Sequence, residues 1–385
     1  MAGGYRNTQP TPYHPVPNSK GSTLATWIEH TDALLEFNRH SGQRIGLDTE
    51  FMRTDSFAPK LALIQVEIEG RIALIDPTAA IDLTSLSARL GDTQTLSVMH
   101  SASEDLDALA PLLPDSLGTL FDTQVAAAFA GLGAGLGYQK LVSAVCGVDL
   151  PKGETRSDWL RRPLSAQQLE YAAQDVVHLP ALHAHLSARL AERGYAEWHA
   201  EDCARMLQRA RNREPDAQPQ TAYRGAAEWP VEQQARLRRV LIWRETTARR
   251  IDRPRSWILD DPHILDFSSK PPSSLDELAE RSRGLRSLRG AERGELFELL
   301  DRPLESADME FAPIPKAADA EERRTIRALK EVVNARAAEL DIPEGLLCSR
   351  RHLETLYVTR QWPRALEGWR RVLLHDALMA QLTGT

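Results

Sequence analysis

The chain is poor in cysteine. Its three residues of this type, Cys146, Cys203 and Cys348, stand far apart among 385 positions. That excludes a disulfide framework and a cysteine-ligated zinc site. There is no run of about 18 apolar residues, so no membrane-spanning helix is expected. The first residues lack the charged-then-apolar pattern of an export signal. A reducing, cytoplasmic setting fits both observations. Lysine is scarce too, 7 against 40 arginines. Arginine suits bidentate phosphate contacts, and equally reflects a GC-rich genome. Nor is there a surplus of positive charge: the net charge is −7, about −8 over residues 1–200 and about +1 over the rest. For a nucleic-acid binder that sign is wrong, unless the acids surround bound cations, which invert the local charge logic. A solvated acidic surface gives the same balance.

What is present points to two or three domains, with a hydrophobic fraction of 42% supplying cores. Residues 1–22 hold four prolines among polar and small residues and are expected to form a disordered tail. β-Prone stretches follow at 44–51, 61–68, 71–75 and 95–100, the middle two joined by a Glu69–Gly70 turn. A helix through Leu106, Leu109 and Leu112 comes next, and helical patterns continue to Gly194. Strands first and helices interwoven indicate an α/β domain. A polar linker is expected at 208–222. Beyond Ala227 no convincing strand is found, and a second break falls near 304–319.

Three short stretches carry the candidate chemistry. Asp48 and Glu50 lie two apart on an expected strand, so both carboxylates face one side. Their neighbours are apolar, which makes the pair costly unless a cation offsets it. Asp105 follows a strand and opens a helix, where acids also occur simply because of the helix dipole. Tyr171 and Asp175 are four apart on a helix begun by a Ser165–Gln168 capping box, and so project from one face. Each stretch alone has an ordinary structural explanation: a surface strand, a helix start, a hydrogen-bonded pair. The composite of four acids and a tyrosine is more specific.

In this order and context the stretches resemble the DEDD exonuclease superfamily in its tyrosine-bearing subclass, and within it the ribonuclease D family. The resemblance rests on LDTEFMR (47–53), LALIQV (61–66), HSASEDL (100–106), FDTQVAAAF (121–129), SDWLRRPLS (157–165) and EYAAQDV (170–176). The histidine-bearing subclass would place His where Glu170 stands. The resemblance implies an α/β ribonuclease-H-like exonuclease domain at 23–202, a mixed sheet flanked by helices. It implies two divalent cations, Mg²⁺ or Mn²⁺, held by Asp48, Glu50, Asp105 and Asp175. Asp48 would be shared by both cations. Glu50 and Asp175 would complete the site of the attacking water, Asp105 would support the second cation, and Tyr171 would orient the water. Hard cations want such oxygen ligands, and a pair of them can stabilise both attacking and leaving oxygens.

Other residues invite over-reading. Asp122 precedes a helix and is expected to be its N-cap. His100 should pack or hydrogen-bond at a strand end. His178, His183 and His185 fit no standard metal spacing. Residues 131–137 (GLGAGLG) follow a small-residue helix rather than a strand, so a loop is expected and not a dinucleotide fingerprint.

In the C-terminal half, residues 236–261 interleave Trp243 and Trp257 with Arg249, Arg250, Arg253 and Arg255. Basic residues bind phosphates and aromatics stack on bases, although both tryptophans are also natural bundle-core residues. The pattern resembles the helicase-and-RNase-D C-terminal (HRDC) domain over 223–303, and 320–385 resembles a second, diverged copy. Two all-α HRDC-type helical bundles are therefore expected. By resemblance the partner is RNA, namely transfer-RNA precursors and other small structured RNAs with 3′ extensions, trimmed 3′→5′ by a monomer to release 5′-mononucleotides. A DNA 3′→5′ exonuclease and a nonenzymatic RNA-binding scaffold are the alternatives.

Overall fold

A computed structural model describes residues 25–383 except 41, 114 and 152–156. The expected tail at 1–22 lies outside the described residues. The first part of the chain runs β1 (Ala25–Ile28), α1 (Thr31–Phe37), β2 (Arg44–Met52), β3 (Lys60–Ile68), β4 (Arg71–Ile75), α2 (Thr84–Gly91), β5 (Leu96–Met99), α3 (Ser103–Ala108), β6 (Thr119–Asp122), α4 (Thr123–Phe129), α5 (Tyr138–Cys146), α6 (Ala166–Val177), α7 (Leu179–Arg193) and α8 (Ala196–Arg211). The strands form one mixed sheet in the order β1-β4-β3-β2-β5-β6. β2–β3 and β3–β4 are antiparallel, while β1–β4, β2–β5 and β5–β6 are parallel.

Alternation along the central strands gives the sheet two buried faces. Ile45, Leu47, Ile64 and Val66 point to one, where they pack with Leu34, Leu86, Leu106 and Leu207 of α1, α2, α3 and α8. Leu63 and Leu74 point to the other, under Ala172, Ala173 and Val176 of α6 and Leu179 and Leu182 of α7. The second face carries the candidate site.

The helical remainder comprises α9 (Val231–Arg250), α10 (Arg255–Ile258), α11 (Asp261–Ser269), α12 (Leu275–Arg281), α13 (Gly290–Asp301), α14 (Ala320–Leu340), α15 (Glu344–Leu347), α16 (Arg350–Thr359) and α17 (Trp369–Thr383). Residues 226–314 close a core of their own around Leu237, Val240, Phe267 and Leu296. The last helices do not. Leu329, Val333, Leu374 and Leu378 share one apolar cluster with Phe129, Leu186 and Leu190 of the first domain. Trp369 of α17 stacks on Trp198 at 4.7 Å, and Trp198 on Tyr195 at 4.6 Å. Arg370 grips Asp202 with two parallel hydrogen bonds of 2.5 and 2.7 Å, the fork geometry that makes arginine–carboxylate pairs strong.

The structure departs from the sequence expectations in places. β1 and β6 were not anticipated: each has four residues, too few to display a period, and the last residue of β6, Asp122, reads as a helix cap. α8 continues to Arg211, so the start of the polar stretch read as linker is helical. Its polar residues face solvent while His199, Cys203 and Leu207 are buried.

Candidate active site

β2 brings Asp48 and Glu50 to the face covered by α6, as the period-2 pattern requires. A register irregularity follows directly between Glu50 and Phe51; such a bulge bends a strand and ends regular pairing. Asp105 sits in the first turn of α3 and is only 8% exposed. The hydroxyl of Thr49 donates to its Oδ1 at 2.5 Å. Tyr171 and Asp175 share a face of α6, whose Ser165–Gln168 capping box is present. The phenol of Tyr171 donates to the Asp175 carboxylate.

Burial raises the pKa of all four acids, and repulsion from others of the four adds to it for Asp48, Glu50 and Asp175. Asp48 is held well above the usual carboxylate range, first by burial and then by Asp105, Asp175 and Glu50. Burial, with Asp175 and Asp105, pushes Glu50 up to about 9. Asp175 rises to about 7 through burial, against the Tyr171 hydrogen bond. Asp105 rises to about 6 through burial, opposed by its bond from Thr49. Asp48, Glu50 and Asp175 nonetheless keep some accessible surface. Tyr171 is also raised, by burial and then by Asp175, so its phenol stays protonated and acts as a donor.

These acids are neighbours without forming a closed shell. Among the described residues, no group of three or more His, Cys, Asp or Glu side chains is gathered tightly enough to hold a metal ion. The chemistry of the donor set does fit hard divalent cations. Four oxygen donors face one another, and among the described residues no Lys or Arg forms an ion pair with any of them. Like charges in a shared site raise one another's pKa, and a multivalent cation is the natural counter-charge.

Several surrounding residues were not singled out from the sequence. Trp159 packs against Tyr171 with ring centres 6.0 Å apart. Tyr138 donates to the Gln174 carbonyl at 3.0 Å, and its phenol is raised by burial and by Asp175 and Asp48. Arg162 binds both Asp76 oxygens and the Ala62 carbonyl, each at 2.6 Å, which ties the segment below Tyr171 to the sheet. Thr49 and Tyr138 carry no signal along the chain. Their roles depend on which residues fold beside them.

Asp122 caps α4, accepting from Gln124 and Val125, and also receives the Ala102 amide at 2.9 Å. His100 meets the Thr123 hydroxyl at 2.9 Å. His183 packs edge-on against Phe121. The glycine loop abuts the last helices: a Cβ on Gly131, whose φ is +78°, would sit 2.9 Å from Arg193 Nη1, and that guanidinium holds Asp341 at 2.9 Å. Trp243 packs against the core of the middle domain, while Trp257 lies under Arg286.

The arginines of α9 and the turn after it have partners within the protein. Arg249 and Arg255 flank the Phe57 ring at 5.3 and 4.6 Å, and both bind Glu245. Arg253 donates to the Asp55 carbonyl at 3.1 Å. Asp252, in the left-handed region at φ 47°, accepts the backbone amides of Phe57 at 3.0 Å and Ala58 at 3.2 Å. Arg250 instead pairs with Glu295 at the surface. The middle domain thus grips the β2–β3 loop, the segment that directly follows Glu50. Arg53 of the same loop reaches Asp107 of α3 at 3.1 Å.

Buried carboxylates on one mixed sheet, followed by helical domains, fit a 3′–5′ exonuclease with accessory modules. Residues 25–191 match the 3′-5′ exonuclease family, and residues 233–289 match the HRDC domain. Ribonuclease D of Xanthomonas oryzae pv. oryzae is 43% identical over 361 residues, 92% of this chain and 98% of that protein. Ribonuclease D of Pseudomonas paraeruginosa is 35% identical, covering 88% of this chain and 92% of that one. The crystal structure of Escherichia coli RNase D, an exoribonuclease involved in structured RNA processing, superposes with a TM-score of 0.78 at 30% identity, covering 93% of this chain and 98% of that chain. The chain belongs to the ribonuclease D family and is a 3′–5′ exoribonuclease. No described helix is long and apolar enough to cross a membrane.

Proposed function

We propose that Asp48, Glu50, Asp105 and Asp175 are the metal ligands and that this chain hydrolyses the terminal phosphodiester of RNA, releasing nucleoside 5′-monophosphates one at a time. The reading rests on one observation above all: four acids from three distant segments are buried near one another with no Lys or Arg ion pair among the described residues, and burial first, then their mutual repulsion, raises their pKa values. Two Mg²⁺ or Mn²⁺ ions bound there would supply Lewis acidity at the phosphate and at the departing 3′ oxygen. The chain's own residues do the rest. Thr49 holds Asp105 in place through its hydroxyl. Tyr171 keeps its proton, donates it in a hydrogen bond to Asp175, and leaves its oxygen lone pairs to accept from a water. It therefore orients the nucleophile rather than deprotonating it. Trp159, against the Tyr171 ring, fixes that orientation.

The domain limits we assign are 23–202 for the nuclease, 223–303 for the HRDC domain and 320–385 for a second HRDC-like domain. Transfer-RNA precursors and other small structured RNAs with 3′ extensions are the substrates favoured by the family and by the neighbour's role in structured RNA processing. The protein is expected to act as a cytoplasmic monomer. For Arg249, Arg253 and Arg255 the intramolecular contacts support a docking role. Arg250, in a half-exposed ion pair of the kind that contributes little to stability, is free to exchange its carboxylate for a phosphate. The deciding assay is end-labelled precursor tRNA with Mg²⁺ or Mn²⁺, run beside matched DNA and an Asp175→Asn variant. Mononucleotide release from RNA alone, lost in the variant, is expected. Equal release from DNA would favour a DNA exonuclease, and no release would favour a scaffold.

A further inference from the structure

One residue on the site's own face does no visible work. Gln65 lies at the centre of β3 with none of its surface exposed, and neither its Oε1 nor its Nε2 has a hydrogen-bond partner. Buried polar groups are nearly always paired, and each exception calls for a cause. The ladder supplies one. Gln65 stands opposite Asp48 on β2 and opposite Leu74 on β4, and directly opposed residues project to the same face with Cβ atoms about 4.5–5.5 Å apart. That face is the one roofed by Ala172, Ala173 and Val176 of α6. Of its two cross-strand neighbours and its roof, Asp48 alone presents an acceptor. Glu67, two residues along β3, also has an unpartnered Oε2; its Oε1 is occupied by the Gly70 amide.

We propose that Gln65 is a positioning residue for Asp48, donating an Nε2–H to that carboxylate so that its remaining lone pairs face the cleft as cations bind. This rests on Asp48 being a metal ligand. A side chain kept for this purpose is a burden on the cation-free fold, because an unpartnered buried amide destabilises and an apolar side chain of the same shape does not. Structural and functional roles therefore predict opposite changes on one substitution.

The experiment uses the full chain, comparing wild type, Gln65→Met, Gln65→Leu and Asp48→Asn. Melting temperature is measured in EDTA, Mn²⁺ affinity by calorimetry, and kcat and KM on a short RNA. Gln65→Met should melt at or above the wild-type temperature. It should bind Mn²⁺ about 10–100-fold more weakly, the usual effect of losing an outer-shell partner, with kcat reduced and KM for RNA unchanged. Gln65→Leu should behave alike. Unaltered Mn²⁺ affinity in Gln65→Met, whatever its melting temperature, overturns the proposal. So does a lower melting temperature in both variants, which would mean that Gln65 serves the fold by pairing with Glu67. If wild type binds no Mn²⁺, or Asp48→Asn binds as well as wild type, the metal-site reading itself fails.

Discussion

Cation binding at this site should expel protons in a number set by pH. Glu50, Asp175 and Asp105 titrate at about 9, 7 and 6 in the folded chain, against about 4 for ordinary carboxylates. A hard cation takes the ionised form, so each protonated ligand must release its proton on binding. At pH 7 Glu50 is almost wholly protonated, Asp175 about half and Asp105 about one-tenth, so these three alone release about 1.6 protons. At pH 9 Glu50 contributes about half a proton, while Asp175 and Asp105 contribute almost none; Asp48, held well above the usual carboxylate range, adds to the count. Affinity for Mn²⁺ should therefore climb by at least about 1.6 log units per pH unit near neutrality and by at least about 0.5 near pH 9. The same shifts fix the sign of the stability change. Folded pKa values above the unfolded ones stabilise the cation-free fold fully below about pH 4, and that contribution is lost as pH rises through 6, 7 and 9. Saturating Mn²⁺ should reverse the loss. Calorimetry in buffers of differing ionisation enthalpy counts the protons directly. A count near zero at pH 7, with pH-independent affinity, would show that the four acids are ionised independently and do not share a cavity.

Three further outcomes are expected. Asp48→Asn should lower kcat by at least about 10²–10³-fold in an RNA-release assay, since each 1.36 kcal/mol of lost transition-state stabilisation is tenfold. Asp252→Ala removes the acceptor of two loop amides and should make residues 53–58 a site of limited proteolysis, whereas Asp252→Asn, which tolerates the left-handed backbone, should largely protect them. Trp369→Ala, at 5% exposure against Trp198 and Phe129, should cost about 3–5 kcal/mol of stability by urea melting.

The candidate acids were legible because local geometry sets a shared face for Asp48 and Glu50 and for Tyr171 and Asp175, whereas Asp105 entered only through the composite pattern and its resemblance to a known family. A two-residue spacing on a strand and a four-residue spacing on a helix each define a face before any tertiary contact exists. Asp122 was legible for the same reason, as a cap two and three residues from the amides it binds. Gln65 was not, since only the β2–β3 register sets it opposite Asp48. Thr49, in the middle of the LDTEF stretch, alternates away from the two acids beside it, and its bond to Asp105 depends on α3 packing beneath. The arginines at 249, 250, 253 and 255 show what a linear reading leaves open. Their density suggested phosphate, but Phe57 and Asp55, almost two hundred residues earlier, occupy three of the four.

The apolar cluster that joins Phe129, Leu186 and Leu190 to Leu374 and Leu378 makes the two ends of the chain one cooperative unit, while the middle domain closes on itself. Heating should then give two calorimetric transitions, the smaller belonging to residues between the two halves of the larger. During synthesis the order is stricter still. The nuclease sheet can form early, yet one flank stays bare until the final helix leaves the ribosome, so a transcript truncated near its 3′ end should yield a sticky, chaperone-bound product rather than a shorter working enzyme.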